Sequence, residues 1–76
     1  MTQIIAEIPT LGLVSMLGSA GQESAIFAAI LGPQDRIAFF AAPTIMSNDA
    51  RIAAIANETY FTVNELIAPF GGYEEV

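Results

Sequence analysis

Apolar residues occur along this chain in short runs, which proline, glycine or a few charged residues separate. The first run, TQIIAEI at 2–8, is rich in β-branched residues and is closed by Pro9, as is typical of a strand. The run RIAFFAA at 36–42 would place large side chains on both faces of an extended chain, so it predicts a central or covered strand. The run LGLVSML at 11–17 fits a helix or a strand, and the pattern favours neither.

A helix is predicted between these two strands. Ser19 and Gln22 have the spacing of a capping box, in which the Ser19 hydroxyl accepts from a first-turn amide and the Gln22 side chain reaches back to the Ser19 amide. The helix would run from about 20 to 31 and end at Gly32. Its last two turns, AIFAAIL, are apolar all round, and such a helix is expected to be buried on every side.

The second half of the chain predicts two more helical elements. Ser47 or Asn48 can cap a helix whose apolar stripe extends to about residue 58. Thr62 and Glu65 form another capping box, which opens a short helical turn that Pro69 ends.

The order of these elements predicts one domain, because 76 residues are too few for two. The predicted fold class is α+β, in β-α-β-α order with a short C-terminal helical turn and an extended tail. The domain is expected to cover residues 1–69. The segment 70–76 is expected to be a C-terminal tail that can serve for interaction.

The composition adds an argument about the surface. The chain is 54% hydrophobic and 13% charged, whereas about 25% charged residues are usual in soluble domains. A short chain buries a smaller share of its surface than a long one, so it should need more polar residues. We therefore expect part of the surface to be covered by another protein in the working state.

The charges argue against a nucleic-acid partner, and the absence of cysteine excludes two kinds of site. Eight Asp and Glu stand against Arg36 and Arg51, which gives a net charge of −6. Nucleic-acid binding depends on cationic contacts to phosphate, so no nucleic-acid partner is expected. The absence of cysteine excludes disulfides and thiolate metal sites.

No direct membrane span is expected either. The uncharged runs are all shorter than the roughly 20 residues that a spanning helix needs. Joining the first two runs would place Glu23 near the middle of the bilayer, and GPQDR at 32–36 indicates a polar turn. The N-terminus lacks the basic start of a signal peptide, so the expected location is the cytoplasm or an assembled virion.

Residues for catalysis are scarce, because the chain has no His, Cys or Lys. Glu23 is the one carboxylate inside apolar sequence, but its place in the first turn of the predicted helix is better explained by the helix dipole. Glu74 and Glu75 could bind a hard cation, although a solvated tail is the favoured interpretation. We expect no enzyme activity, no cofactor and no metal.

Two segments are candidates for contact with a partner. Aromatic residues flank a Gly-Gly pair in the tail, and aromatics are enriched at interface centres. The apolar helix AIFAAIL is the other candidate. The predicted partner-binding residues are Phe70 and Tyr73 in the tail, and Ile26, Phe27, Ile30 and Leu31 in the helix.

The sequence therefore predicts a non-catalytic structural or interaction subunit that packs in a larger assembly, either with copies of itself or with other chains. A viral capsid or decoration protein is one concrete form. Alternatives are an accessory subunit of a membrane complex, such as a photosynthetic one, and an inhibitor or antitoxin-like module. A precursor peptide with an enzymatically modified C-terminal segment is a further alternative.

Overall fold

Short helices and strands alternate along residues 3–74, which are the residues that the computed structural model describes. The elements are β1 (Gln3–Ile4), β2 (Glu7–Pro9), α1 (Thr10–Ser19), α2 (Ser24–Ala29), α3 (Pro33–Ala41), β3 (Thr44–Met46), α4 (Ala50–Asn57), α5 (Val63–Ile67), a 3-10 turn (Ala68–Phe70) and β4 (Tyr73–Glu74). This is a small mixed α+β domain, as predicted, with helix predominating over strand.

The N-terminal segment pairs with two later parts of the chain. Strand β2 is antiparallel to β3, with Ile8 opposite Ile45. Strand β1 is antiparallel to β4, with Ile4 opposite Tyr73. The predicted strand at 2–8 therefore occurs as two short pieces, and each has its own partner strand.

Strands β3 and β4 lie one after the other along the same edge of the N-terminal segment. Ser47 occupies the position between them and pairs with Ala6. The Ser47 N–H donates to the Ala6 carbonyl at 2.9 Å, and the Ala6 N–H donates to Ser47 Oγ at 2.9 Å. Gly72 lies directly beside this serine, since a Cβ added to it would be 3.0 Å from Ser47 Cβ. Only glycine lets the backbone approach so closely.

The core lies between the helices and the β2–β3 pair. Helices α1, α4 and α5 each contribute a pair of large aliphatic side chains, and α3 contributes a single aromatic one. The largest fully buried apolar side chains are Ile8, Leu13, Leu17, Ile26, Phe39, Ile52, Ile55, Leu66 and Ile67.

The predicted strand at 36–42 is wrong, because these residues lie mostly in helix α3. Pro33 occupies the first turn, where its missing N–H costs no hydrogen bond, and Asp35 lies near the positive end of the helix dipole. Helical geometry buries Phe39 completely and leaves Phe40 39% exposed. The second strand of the predicted order is found instead at Thr44–Met46, after Pro43.

The predicted capping motifs had different outcomes. The box at Thr62 and Glu65 is present, with both of its reciprocal hydrogen bonds. The box at Ser19 and Gln22 does not form, because Ser19 ends α1. Helix α2 is consequently shorter than the predicted 20–31, and it starts after Glu23 without a side-chain cap.

The predictions for the segments that form α1 and α4 also have clear outcomes. The undecided run at 11–17 is helical and belongs to α1. Helix α4 forms close to its predicted bounds, although its cap is Asp49 rather than Ser47 or Asn48. Within residues 3–74, no helix combines the length and the apolar character that crossing a membrane would require.

Candidate partner-binding surface

The residues predicted to bind a partner divide into buried and exposed groups. Ile26 and Ile30 are 1% and 5% exposed and belong to the core, so they are not available to a partner in this conformation. Phe27 and Leu31 are 47% and 73% exposed. The segment AIFAAIL is therefore not buried on every side by the described residues, contrary to the prediction, and Phe27 in α2 and Leu31 after it remain candidates for contact.

Arg36 fixes the arrangement of α2 and α3 around these exposed side chains. Its guanidinium group donates through Nη2 to the Phe27 carbonyl at 2.8 Å and through Nε to the Ile30 carbonyl. These carbonyls lie at the C-terminal end of α2, where a cation is favourable. The guanidinium carbon also lies 5.3 Å from the centre of the Phe27 ring, within the range of a cation–π contact.

Four exposed apolar side chains belong to residues next to this arginine: Phe27 beside its guanidinium group, Ile37 and Phe40 on the same helix, and Leu31 directly after Ile30. The Phe27 and Phe40 rings are 5.9 Å apart, and Phe40 meets the buried Phe39 ring edge-on at 5.2 Å. Ile37 lies one helical turn before Phe40 on the same side of α3 and is 69% exposed. We call the exposed side chains of Phe27, Leu31, Ile37 and Phe40 the apolar corner.

Sequence reasoning missed half of the apolar corner. The apolar run at 36–42 predicts a covered strand for Ile37 and Phe40, in which neighbouring residues face opposite ways. A helix start at Gly-Pro-Gln-Asp was the signal that could have found them, since proline and an acid are both favoured in the first turn.

The two aromatic residues of the tail have different environments. Phe70 is half-buried and packs on the core, and its ring lies 3.0 Å from where a Cβ on Gly12 would be. Tyr73 is 44% exposed and stands opposite Ile4, which is 52% exposed. Only Tyr73 of this pair offers a large exposed surface.

The backbone of the tail is held by a side chain of helix α5. Asn64 Oδ1 accepts from the Glu74 N–H at 2.7 Å, and Asn64 Nδ2 donates to the Glu74 carbonyl at 2.6 Å. The asparagine amide thus replaces a neighbouring strand on the outer side of β4.

A cleft of about 200 Å³ lies beside this asparagine and is lined by Thr62, Val63, Asn64 and Glu74. Its volume is smaller than the roughly 300–1,000 Å³ of most small-molecule sites.

The charged side chains form one ion pair among the described residues. Arg51 Nη2 lies 2.9 Å from Asp49 Oδ2, and the aspartate also caps helix α4 by accepting from the Arg51 N–H. The hydrogen bond from the arginine side chain lowers the pKa of the Asp49 carboxyl, and the same contact raises the pKa of Arg51. These contacts give the pair a structural role at the start of α4.

The acidic candidates for catalysis or metal binding are not brought together. Glu23 lies exposed at the start of α2. No group of three or more Asp or Glu within residues 3–74 is arranged to hold a metal ion. Glu75, the second carboxylate of the considered tail site, lies outside the described residues.

Comparisons of the chain with models of protein families, with curated proteins and with solved structures found no match.

Proposed function

We propose that this protein is a non-catalytic interaction subunit that packs against other protein chains in a larger assembly. The observation that carries the proposal is the apolar corner, where two exposed aromatic rings in contact and two exposed aliphatic side chains adjoin one arginine. A capsid or decoration subunit is one concrete form of such a protein.

The clustering of the exposed side chains supports this function more than their number does. Single exposed apolar residues are normal on soluble proteins, whereas contiguous patches mark sites of interaction. Phe27 is joined to Phe40 by ring contact, and the arginine that lies on Phe27 ties α2 to α3. These contacts hold Phe27, Phe40 and Arg36 in place, so their binding to a partner would cost little further side-chain entropy.

The chemistry of the corner indicates the kind of partner. Aromatics and arginine are the residues most enriched among those that dominate binding energy. Among residues 3–74 the side chain of Arg36 donates through Nε and Nη2, so Nη1 is available to an acceptor on a partner. We expect a protein surface that is apolar at its centre and carries a carboxylate or carbonyl at the edge.

The test compares native complexes formed by variants of the tagged protein. Ile37→Asp and Leu31→Asp alter the two most exposed side chains of the corner, so they should leave the fold intact. Tyr60→Asp is the matched control, because Tyr60 is 90% exposed and lies outside the corner. Co-purifying chains are quantified by mass spectrometry, and circular dichroism verifies the fold of each variant.

We expect both corner variants to lose the co-purifying chains while the control keeps them. Loss of an interface anchor typically weakens binding about thirtyfold or more. If all three variants retain the same partners, or if the wild-type protein purifies alone as a monomer, the proposal is wrong.

A further inference from the structure

The N-terminal segment 3–9 is paired along one edge and carries unused backbone groups along the other. The Ala6 carbonyl accepts from the Ser47 N–H, and the Thr10 N–H donates to the Pro43 carbonyl at 3.2 Å. Backbone groups of successive residues in an extended strand point to opposite edges. Those of Ile5 and Glu7 therefore point away from β3.

The same alternation continues to Gln3. Both backbone groups of Glu74 are taken by the Asn64 side chain, so they point away from β1. Gln3 stands opposite Glu74, and residues opposite each other in an antiparallel pair either both face inward or both face outward. Gln3 thus presents its N–H and carbonyl on the same outer edge as Ile5 and Glu7.

This outer edge is open in the part of the chain that the structure describes. The side chains of Gln3, Ile5 and Glu7 are exposed, and none of their outward backbone groups has a hydrogen-bond partner among residues 3–74. Pro9, which has no N–H, ends the run. An open strand edge of this kind is a template for pairing with another strand.

We propose that this edge pairs with the same edge of a second copy, in antiparallel orientation and with Ile5 opposite Ile5 of the second copy. The register follows from the side chains. It places Gln3 opposite Glu7 of the second copy, so an amide donor meets a carboxylate on each side of the central isoleucines. All three outward residues of each copy are then paired.

Registers shifted toward Pro9 are less favourable. A shift that centres the pair on Glu7 would place two carboxylates directly opposite each other, which is destabilising. The register between these two, with Ile5 opposite Glu7 of the second copy, would place Pro9 opposite Gln3. Pro9 has no N–H to donate to that pair. The edge is therefore self-complementary about Ile5, as a twofold symmetric interface requires.

This inference does not depend on the proposed function, because it uses a different surface and different residues. The net charge of −6 on each copy opposes association, so screening by salt should strengthen the dimer rather than weaken it. A complex dominated by attraction between unlike charges would show the opposite dependence on salt.

The test uses Ile5→Glu and Ile5→Lys, because residue 5 would face its own copy on the symmetry axis. Each variant places like charges opposite each other, and we expect the dissociation constant of each to rise about tenfold or more. An equimolar mixture of the two places unlike charges opposite each other and should recover dimers. Sedimentation velocity over a range of concentrations measures all three samples and the wild type.

Leu11→Glu and Leu11→Lys are the matched controls, because Leu11 is 76% exposed on α1 and lies away from the edge. We expect these variants, alone or mixed, to dimerise like the wild type. Recovery in the Ile5 mixture also excludes unfolding as the cause of the losses. A monomeric wild type, or Ile5 variants that dimerise as well alone as mixed, would overturn the proposal.

Discussion

Replacing Asn64 by alanine removes the side chain that holds strand β4 to helix α5. Both amide atoms of this residue are bonded to the backbone of Glu74, at 2.7 and 2.6 Å. The variant leaves the outer N–H and carbonyl of β4 without their partner. Because β4 also pairs with β1, we expect the loss to loosen the first and last strands together.

The magnitude follows from the two hydrogen bonds. Each typically contributes about 0.5–1.5 kcal/mol, so their loss should cost about 1–3 kcal/mol. Alanine is a better helix former than asparagine by about 0.5 kcal/mol, which offsets part of this cost within α5. We expect the free energy of unfolding to fall by about 1–2 kcal/mol, a substantial part of the 4–11 kcal/mol typical of a 76-residue domain.

Urea unfolding followed by circular dichroism measures the change, with Asn57→Ala as the control. Asn57 lies exposed at the end of helix α4 and makes no side-chain hydrogen bond among the described residues, so its replacement tests helix propensity alone. Amide exchange at Glu74 should also become faster in the Asn64 variant. Equal stability of the two variants, with unchanged exchange at Glu74, would show that the asparagine does not hold the strand.

Three further predictions follow from burial, polar pairing and charge. Phe39→Ala should lower the free energy of unfolding by about 3–5 kcal/mol, and Phe40→Ala by only about 1–2 kcal/mol, because Phe39 is fully buried and Phe40 is partly exposed. Urea unfolding measures both, and similar costs would contradict the placement of these two residues in helix α3. Thr10→Val should raise the free energy of unfolding by about 1 kcal/mol, because Thr10 Oγ1 is buried without a partner among the described residues, and a lower melting temperature would refute this. Asp49→Ala should cost about 1 kcal/mol at neutral pH. The hydrogen bond from the Arg51 side chain lowers the pKa of Asp49, so this contribution is present above the ordinary value of 3.8 and is lost as the pH falls through the folded-state pKa. The stabilities of the two proteins should therefore converge at acidic pH.

Local signals in the sequence were sufficient where neighbouring residues determine the structure. The capping box at Thr62 and Glu65 is made by residues three apart, so its spacing alone predicted the start of α5. The apolar stripe of α4 has the helical period and likewise gave its bounds. These elements could be predicted because residues close together in the sequence set the cap of one and the apolar period of the other.

The strand predicted at 36–42 shows where pattern alone fails. A short apolar run with two adjacent phenylalanines fits a buried strand or a buried helix equally well. What separates them is tertiary: one phenylalanine enters the core, and the other remains against Phe27 at the surface. The sequence pattern alone therefore could not locate the apolar corner, because its position depends on which phenylalanine is buried.

The ordering of the tail depends on residues far apart in the sequence. Strand β4 is held by Asn64 on one side and by the N-terminal segment on the other, while Gly72 packs against Ser47. Nothing in the local sequence FGGYEEV predicts any of these contacts. The same contacts determine which edge of the N-terminal segment stays open, so that edge was also beyond reach from the sequence.

The distribution of exposed apolar side chains separates two explanations of the composition. If the high hydrophobic share only reflected many small alanines, the large exposed residues would be scattered singly, as on any soluble protein. Instead Phe27 and Phe40 are in ring contact, and Ile4 stands opposite Tyr73 across a strand pair. Each cluster adjoins a group that has bonding capacity left over among residues 3–74, an arginine in one case and an open strand edge in the other. We therefore expect protein rather than lipid to cover these surfaces, because lipid would leave the arginine and the strand edge without hydrogen-bond partners.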